Sequence, residues 1–303
     1  MIKFYNKLTN WGKILFFLMI FIIILFIFKN FDSLHKEGFI QNDSFLFKSN
    51  DSIYDDFYAN IYDQLVFSNV KDNYEIGEIV NKTKPTSESI ILDIGCGTGH
   101  HVAELKAYNL NVMGIDNSDA MIKKAKDNYP QYNFVKGDAI NANLFHYNSF
   151  THITCLYFTI YYFKNKTQFF TNCFNWLMPG GWLIIHLVNR DMFDPILPPA
   201  QPLLLVSPQR YAKKRITNSK IVFDGFDYHA NFNLNKNNNI ATFTEKFNNI
   251  NNKVRKNEHT FYMESQKQIL SYAQNCGFII QAKSDLIHCG YEYQYLYFLS
   301  KPE

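Results

Sequence analysis

The chain has 303 residues, of which 47% are hydrophobic and 17% aromatic. These values allow one large folded domain with an appendage and exclude wholesale disorder. The formal net charge of +3 gives no indication of a nucleic-acid partner, and the five cysteines include no Cys-x-x-Cys pair that would indicate a zinc site or a disulfide framework.

The N-terminal region contains an unbroken apolar run, residues 14–28, between Lys13 and Lys29. With its flanking residues the run approaches the ~20 residues that cross a bilayer, and both lysines can reach the interfaces. Residues 1–31 are therefore predicted as a short tail and one transmembrane helix, in contact with the membrane over residues 12–30. A cleaved signal peptide is the alternative, but no small-x-small cleavage site follows the run.

Two segments precede the first strand signal. Residues 32–53 are polar with scattered phenylalanines, and we predict a linker there. The stretch Tyr54–Leu65 spaces its aromatic residues as a helix does.

From residue 90 the chain alternates apolar strands with helices. This rhythm predicts an α/β fold, a Rossmann-like, doubly wound, mostly parallel sheet that binds ligands at the carboxyl ends of its strands. The predicted strands are Ile90–Ile94, Val112–Ile115, Tyr132–Lys136, Ile153–Phe158 and the apolar run after Pro179-Gly180-Gly181.

Residues 189–263 interrupt that rhythm. Prolines come first, and a helix is predicted at Gln209–Arg215. Four short alternating segments then predict an antiparallel β insertion that covers a substrate pocket. A helix, Gln266–Asn275, and two antiparallel strands, Phe278–Lys283 and Tyr293–Leu299, complete the predicted domain.

A glycine-rich turn, residues 93–99, follows the first strand with the sequence Asp-Ile-Gly-Cys-Gly-Thr-Gly. Its spacing differs from the G-x-G-x-x-G of dinucleotide sites, and the carboxylate of Asp93 suits a cationic amino-acid group better than a pyrophosphate. Asp116 ends the next strand, at the distance where an acid reaches ribose hydroxyls, and Asp138 follows the third strand.

This arrangement resembles class I S-adenosylmethionine-dependent methyltransferases over residues 54–300, so residues 54–303 are predicted as the methyltransferase domain. The resemblance implies S-adenosylmethionine as cofactor and a lid formed by Tyr54–Leu65, for which a helix packed on the sheet edge is the alternative. By this resemblance, Asp93 would hold the amino group of S-adenosylmethionine and the three glycines its methionine part. Asp116 would hold the ribose, and the remaining implied residues would surround the adenine. The implied cofactor residues are Asp93, Gly95, Gly97, Gly99, Asp116, Asn117, Met121, Asp138 and Ala139.

The chain departs from the family at strand four. It has no Asn/Asp-Pro-Pro-Tyr, which disfavours methylation of adenine or cytosine amino groups. The aromatic group within residues 156–163 is interpreted either as a cage for a cationic or planar acceptor or as core packing. Tyr157, His186 and Arg190 are predicted as catalytic, with a structural role as the alternative for His186. No metal ligand set is predicted.

The predicted function is methyl transfer to a small-molecule, lipid or sugar acceptor, in a single-pass membrane protein without a nucleic-acid partner. The alternatives are a protein or RNA methyltransferase, on account of the basic segment 210–215, and a non-catalytic scaffold on the same fold. The orientation of the chain in the membrane stays open. The lysines before the apolar run favour a cytoplasmic N-terminus, whereas synthesis of the cofactor in the cytosol favours the opposite arrangement.

Overall fold

The computed structural model describes residues 9, 11–13, 16–19, 21, 45–197, 208–249 and 253–303. The chain divides into two compact units, residues 1–42 and 43–303. Most of the predicted membrane segment, residues 12–30, lies outside the described residues. Within the part of the chain that is described, no helix combines the length and hydropathy needed to cross a bilayer.

A seven-stranded sheet forms the centre of the second unit. Its order is β11-β12-β6-β5-β2-β3-β4, with parallel pairing from β6 to β4 and antiparallel pairing of β11 and β12 at the other edge. The carboxyl ends of β2 and β3 therefore lie side by side. The strands are β2 (Ile90–Ile94), β3 (Asn111–Asp116), β4 (Asn133–Lys136), β5 (Phe150–Cys155), β6 (Leu177–Val188), β11 (Ile279–Asp285) and β12 (Gln294–Ser300).

Within the described residues from 45 onwards, six helices accompany the strands: α1 (Asp56–Val66), α2 (Asn69–Thr83), α3 (His100–Ala107), α4 (Asp119–Asn128), α5 (Lys166–Trp176) and α6 (Gln266–Asn275). Successive residues of a strand point to opposite faces of the sheet. Leu92 accordingly packs in one core with side chains of α5 and α6, while Ile91 packs in another with side chains of α2, α3 and α4. The sheet is thus covered on both faces, as in a doubly wound fold.

A second, five-stranded sheet has the order β1-β10-β9-β8-β7. Its strands are β1 (Phe45–Ser49), β7 (Asn218–Phe223), β8 (Phe226–Asn235), β9 (Ile240–Asn249) and β10 (Val254–Tyr262). All neighbours pair antiparallel except β1, which runs parallel to β10. Alternate residues of β10 are buried, so one face of this sheet contributes to the interior of the unit.

The structure confirms the predicted mixed α/β fold, with its parallel sheet and antiparallel C-terminal strands. It corrects the predicted linker, because β1 and a 3-10 helix (Asn50–Ile53) belong to the folded unit. The predicted strand Ile153–Phe158 is shifted to Phe150–Cys155, and the predicted helix Gln209–Arg215 is only a short 3-10 turn, Pro208–Tyr211. Helix α2 was not predicted.

Two glycines provide a test of local packing. Gly99 has a φ of +93°, and a Cβ there would lie 2.7 Å from the buried ring of Phe134, whereas a Cβ on Gly77 in α2 meets nothing within 4 Å. We expect Gly99→Ala to lower the free energy of unfolding by about 2–4 kcal/mol, from backbone strain and overpacking. Gly77→Ala should raise it by about 0.5–1 kcal/mol. Urea unfolding of both variants measures the contrast, and equal effects would contradict this account.

Candidate active site

The glycine turn between β2 and α3 brings backbone close to an open space. Gly95, Gly97 and Gly99 all have positive φ, a conformation that glycine adopts without a steric penalty. A Cβ on Gly95 would lie 2.5 Å from Cγ2 of Thr159, so no side chain fits there. The backbone N–H groups of Gly95 and Cys96 both donate to the carbonyl of Ile115, which fixes the turn against β3.

Asp93 lies beneath this turn and is only 1% exposed. Its Oδ1 accepts a hydrogen bond from the Thr154 hydroxyl at 2.7 Å, whereas its Oδ2 has no hydrogen-bond partner among the described residues. Burial raises the pKa of this carboxyl to about 6. A buried carboxylate with an unused oxygen favours a nearby cation, which matches the predicted ammonium group of the cofactor.

Asp116, at the end of β3, faces the same space. Its carboxylate accepts hydrogen bonds from the backbone N–H groups of Gly97 at 3.0 Å and Ser118 at 2.9 Å. Burial raises the pKa of Asp116, against the opposing effect of these backbone donors. The carboxylate is therefore held in one orientation while its remaining acceptor positions are available for hydroxyl groups.

Gly95, Gly97 and Asp116 border a cavity of about 390 Å³, which we call the cofactor cavity. Asp93 and Gly99 do not line it, since the first lies beneath the turn and the second caps α3. Asp138 lines the cavity, and its Oδ1 also accepts the backbone N–H of Ile140, as in a turn-capping aspartate. The structure brings seven of the nine predicted cofactor residues to this cavity: Gly95, Gly97, Asp116, Asn117, Met121, Asp138 and Ala139.

A second cavity, of about 90 Å³, lies next to the first and is walled mainly by aromatic rings; we call it the aromatic cavity. It is bordered by residues of α1, of the segment after β5, and of strands β8, β9 and β10. Four residues line both cavities: Tyr54, Tyr62, Thr159 and Tyr162. Two residues of the region Tyr54–Leu65, Tyr54 and Tyr62, therefore border the cofactor cavity, and the lid stays a prediction.

A chain of short hydrogen bonds runs along the wall of the aromatic cavity. The hydroxyls of Tyr54 and Tyr162 are 2.6 Å apart, and the Tyr162 hydroxyl is 2.6 Å from Nδ1 of His259. Nε2 of His259 is 2.8 Å from Oε2 of Glu245, whose Oε1 accepts from Tyr228 at 2.8 Å. The chain thus connects a buried carboxylate with the boundary between the two cavities.

The three predicted catalytic residues have different environments. Tyr157 lines the aromatic cavity and has a φ of +51°, an uncommon conformation for a residue with a side chain. His186 is completely buried, lines neither cavity and donates from Nδ1 to the Tyr157 carbonyl at 2.6 Å. Burial lowers the pKa of His186 to about 4, which favours its neutral form. Arg190 also lines neither cavity, and it donates to Asn239 and to the Met263 carbonyl.

A buried ion-pair cluster joins α2 to the start of α3. Nζ of Lys71 lies 2.7 Å from Oε2 of Glu75, and Nε2 of His101 lies 3.1 Å from the same oxygen and 3.6 Å from Oδ1 of Asp72. Asp72, Glu75 and His101 offer ligand atoms within 4.8 Å of one another, a spacing that could hold a metal ion. Lys71 and His101 both contact Oε2 of Glu75, so the cluster is an ion-pair network, in which Oε1 of Glu75 has no hydrogen-bond partner among the described residues.

Sequence reasoning did not single out several residues of the site. Thr159 and Tyr162 belong to the aromatic segment after β5, whose cage interpretation pointed to the correct region. Glu245 and His259 occupy buried positions of the alternating strands β9 and β10, and Arg255 and Asn257 are buried on the same face of β10. An ionisable residue at an inward position of an amphipathic strand is the signal that could have identified them.

Comparison with known proteins links this geometry to a family. Residues 91–181 match the family described as "Methyltransferase domain". The dTDP-4-amino-2,3,4,6-tetradeoxy-D-glucose N,N-dimethyltransferase of Saccharopolyspora spinosa is 32% identical over 146 residues, covering 46% of this chain and 58% of that protein. The chain spans about half the length of the curated relatives that it matches.

Solved structures show the same fold. An S-adenosylmethionine-dependent methyltransferase from Clostridium acetobutylicum superposes with a TM-score of 0.62 at 18% identity, covering 82% of this chain and 98% of that one. An S-adenosylmethionine-bound amino pentose methyltransferase from Micromonospora echinaspora gives 0.56 at 16% identity, covering 88% and 99%.

The residues around the cofactor cavity fit S-adenosylmethionine. The glycine turn and the oriented carboxylate of Asp116 match its amino-acid and ribose parts, and the unused oxygen of Asp93 lies beneath the turn, outside the lining of the cavity. Residues 91–181 thus match the methyltransferase-domain family, within a chain that has the fold of S-adenosylmethionine-dependent methyltransferases.

Proposed function

We propose that the protein transfers a methyl group from S-adenosylmethionine to a small-molecule acceptor, such as a sugar or a lipid headgroup, held in the aromatic cavity. The observation that carries this proposal is the wall of four residues common to the two cavities. A donor in one cavity and an acceptor in the other would meet at Tyr54, Tyr62, Thr159 and Tyr162. Relatives named for a dTDP-linked amino sugar and for an amino pentose support a sugar as the acceptor.

Methyl transfer depends mainly on proximity and orientation, because bound S-adenosylmethionine supplies an already activated methyl group on its sulfonium. The chain's own residues hold the reactants. Asp116 would accept the ribose hydroxyls, and Asn117, Met121, Asp138 and Ala139 would surround the adenine. Tyr62, whose ring lies 3.7 Å from the position of a Cβ on Gly97, covers the turn and helps to exclude water.

The structure gives less support to a macromolecular acceptor. The basic segment 210–215 motivated that alternative, but Arg215 is engaged within the fold. Its guanidinium donates to the carbonyls of Phe193 and Arg190 and stacks on the ring of Phe193 at 4.6 Å from the ring centroid. We therefore favour the small-molecule acceptor.

Isothermal titration of the full chain with S-adenosylmethionine tests the cofactor part of the proposal, and a labelled-methyl assay on fractionated cell extract tests the acceptor part. We expect saturable binding and label in small-molecule or lipid fractions. Absence of binding would contradict the proposed function. Label confined to protein or RNA would contradict the acceptor class.

We further propose that residues 12–30 anchor the protein in a membrane by a single span. The support is the apolar run 14–28 between lysines. Alkaline carbonate extraction of membranes should leave the protein in the pellet. An Ile24→Asp variant should move into the supernatant, because a carboxylate at the centre of a span costs about 2.5–3.5 kcal/mol. Release of the unmodified protein would contradict the proposed anchor.

A further inference from the structure

The aromatic cavity has a charge that restricts what it can bind. Its described lining contains two carboxylates, Asp194 and Glu245, and no lysine or arginine. The rest is mainly aromatic, with eleven rings of tyrosine and phenylalanine around the space. Ring faces and carboxylates both attract cations, whereas an anionic group such as a phosphate finds no lysine or arginine among these residues.

Glu245 is the more deeply placed carboxylate, with no exposed surface. It accepts hydrogen bonds from Tyr228, from Asn257 at 3.2 Å and from His259. Burial alone would raise the pKa of Glu245, but His259 and the other donors outweigh burial and hold the pKa below its ordinary value. With His259 neutral, Glu245 is the ionised member of the pair, and its three hydrogen-bond donors favour that form, so the cavity wall then carries a negative charge.

His259 is oriented by that carboxylate. A carboxylate only accepts, so Nε2 of His259 donates to Glu245, and Nδ1 in the neutral ring is left to accept. The Tyr162 hydroxyl lies at 2.6 Å from Nδ1 and the Tyr54 hydroxyl at 2.6 Å from that of Tyr162. Tyr162 therefore donates to His259 and accepts from Tyr54, so a proton can pass from the shared wall of the two cavities to His259.

We propose that the aromatic cavity binds the acceptor as a protonated amine and that His259, held by Glu245, takes up its proton. This inference rests on the proposed function, and it assigns the acceptor class and the base. His259 and Glu245 both line the cavity, so the acceptor reaches them either directly or through Tyr162.

The reaction balances with one base. The ammonium N–H bond breaks and its proton passes through the Tyr162 hydroxyl to Nδ1 of His259, which leaves an amine lone pair. That lone pair forms the new N–C bond to the methyl group while the C–S bond breaks and its electron pair stays on sulfur. The methylated ammonium and a neutral thioether result, and His259 later loses its proton to solvent.

The first test compares two probes of equal shape, cyclopentylamine and cyclopentanol, by calorimetry on the full chain in the presence of S-adenosylhomocysteine. We expect the amine, protonated at neutral pH, to bind at least ~10-fold more tightly than the alcohol. Glu245→Gln should abolish that preference. Glu258→Gln is the matched control on the neighbouring strand, because Glu258 pairs with Lys256 and does not line the cavity.

The second test uses the acceptor identified by the labelled-methyl assay. His259→Gln should lower kcat by about 100-fold or more with little change in KM, as expected for loss of a general base. Tyr162→Phe, which removes only the hydroxyl, should lower kcat in the same direction. Circular dichroism and titration with S-adenosylmethionine verify that each variant folds and keeps the cofactor.

Equal binding of the two probes by the unmodified protein would overturn the amine assignment, whether or not any variant folds. Unchanged kcat in a folded His259→Gln variant would overturn the role of His259. In either case, normal binding of S-adenosylmethionine would leave the proposed function standing, whereas absence of that binding would contradict the proposed function itself.

Discussion

The Asp116→Ala variant should bind S-adenosylmethionine at least ~100-fold more weakly than the unmodified protein. Hydrogen bonds to a charged group contribute about 1.5–3 kcal/mol each, and the variant loses the acceptor proposed for two ribose hydroxyls. It also leaves the backbone N–H groups of Gly97 and Ser118 without their carboxylate, which loosens the turn. Calorimetric titration gives the dissociation constant directly.

Asp119→Ala is the matched control for this change. Asp119 lies three residues further along, does not line the cofactor cavity, and forms an exposed ion pair with Lys136 at 2.6 Å. Its loss should change the affinity less than about two-fold, since exposed pairs contribute little. Comparable losses in both variants would mean that general surface charge, and not the Asp116 carboxylate, determines cofactor affinity.

The second large effect concerns folding. Glu75→Gln should lower the free energy of unfolding by about 3–5 kcal/mol, because it leaves the buried ammonium of Lys71 without its closest counter-charge. Glu75 has no exposed surface and Lys71 is 3% exposed, so solvent cannot compensate. Denaturant unfolding of the full chain at neutral pH measures the loss. Asp191→Asn, which breaks the exposed pair with Lys236 at 2.6 Å, should cost less than about 1 kcal/mol.

The same cluster gives stability a defined pH dependence. Burial alone would raise the pKa of Glu75, but Lys71 and His101 lower it to about 2. Burial alone would lower the pKa of His101, but Asp72 and Glu75 raise it to about 9. The Glu75 contribution is therefore present above its unfolded pKa of about 4.5 and is lost as the pH falls towards 2. The His101 contribution is present below about 6.5 and is lost as the pH rises through 9.

In the unmodified protein the free energy of unfolding should fall between about pH 4.5 and 2 as Glu75 is protonated, and Glu75→Gln should remove that part of the fall. Unfolding curves of the variant and the unmodified protein across that range should converge as the pH falls. A constant difference at every pH would contradict the assigned ion pairs.

The cofactor half of the site could be predicted because its determinants are local in the sequence. The glycine turn lies between Asp93 and Gly99, and Asp116 ends the adjacent parallel strand, so the order of elements alone brings them together. Ser118 then caps α4, since its hydroxyl accepts the backbone N–H of Met121.

The acceptor half could not be predicted in the same way because it is assembled from distant segments. Tyr54, Tyr162 and His259 meet only because α1, the turn after β5 and strand β10 fold against one another. Likewise β1 finds its parallel partner about two hundred residues later, with Phe45 opposite Val254. Local propensity carries no information about such register, and the linker prediction was wrong over residues 45–53 for that reason, while residues 32–44 lie outside the described part of the chain.

Tyr157 shows a second reason why part of the site could not be predicted from the sequence. The apolar run through Phe158 favours a longer strand, but β5 ends at Cys155 and Tyr157 adopts a positive φ that no residue pattern specifies. Its carbonyl receives the hydrogen bond of His186, so tertiary contacts stabilise the turn. The predicted role of His186 depended on the strand end alone, and the buried imidazole, hydrogen-bonded to this carbonyl, lines neither cavity.

The wall of Tyr54, Tyr62, Thr159 and Tyr162 has a thermodynamic consequence. A ligand that restricts these side chains from one side reduces the conformational entropy that remains to be lost when the other ligand binds. For a donor and an acceptor bound in the two cavities as proposed, we expect positive cooperativity between their affinities, and linkage requires the same factor in both directions. A protein arranged in this way retains its methyl donor most tightly when a molecule is present to receive the methyl group.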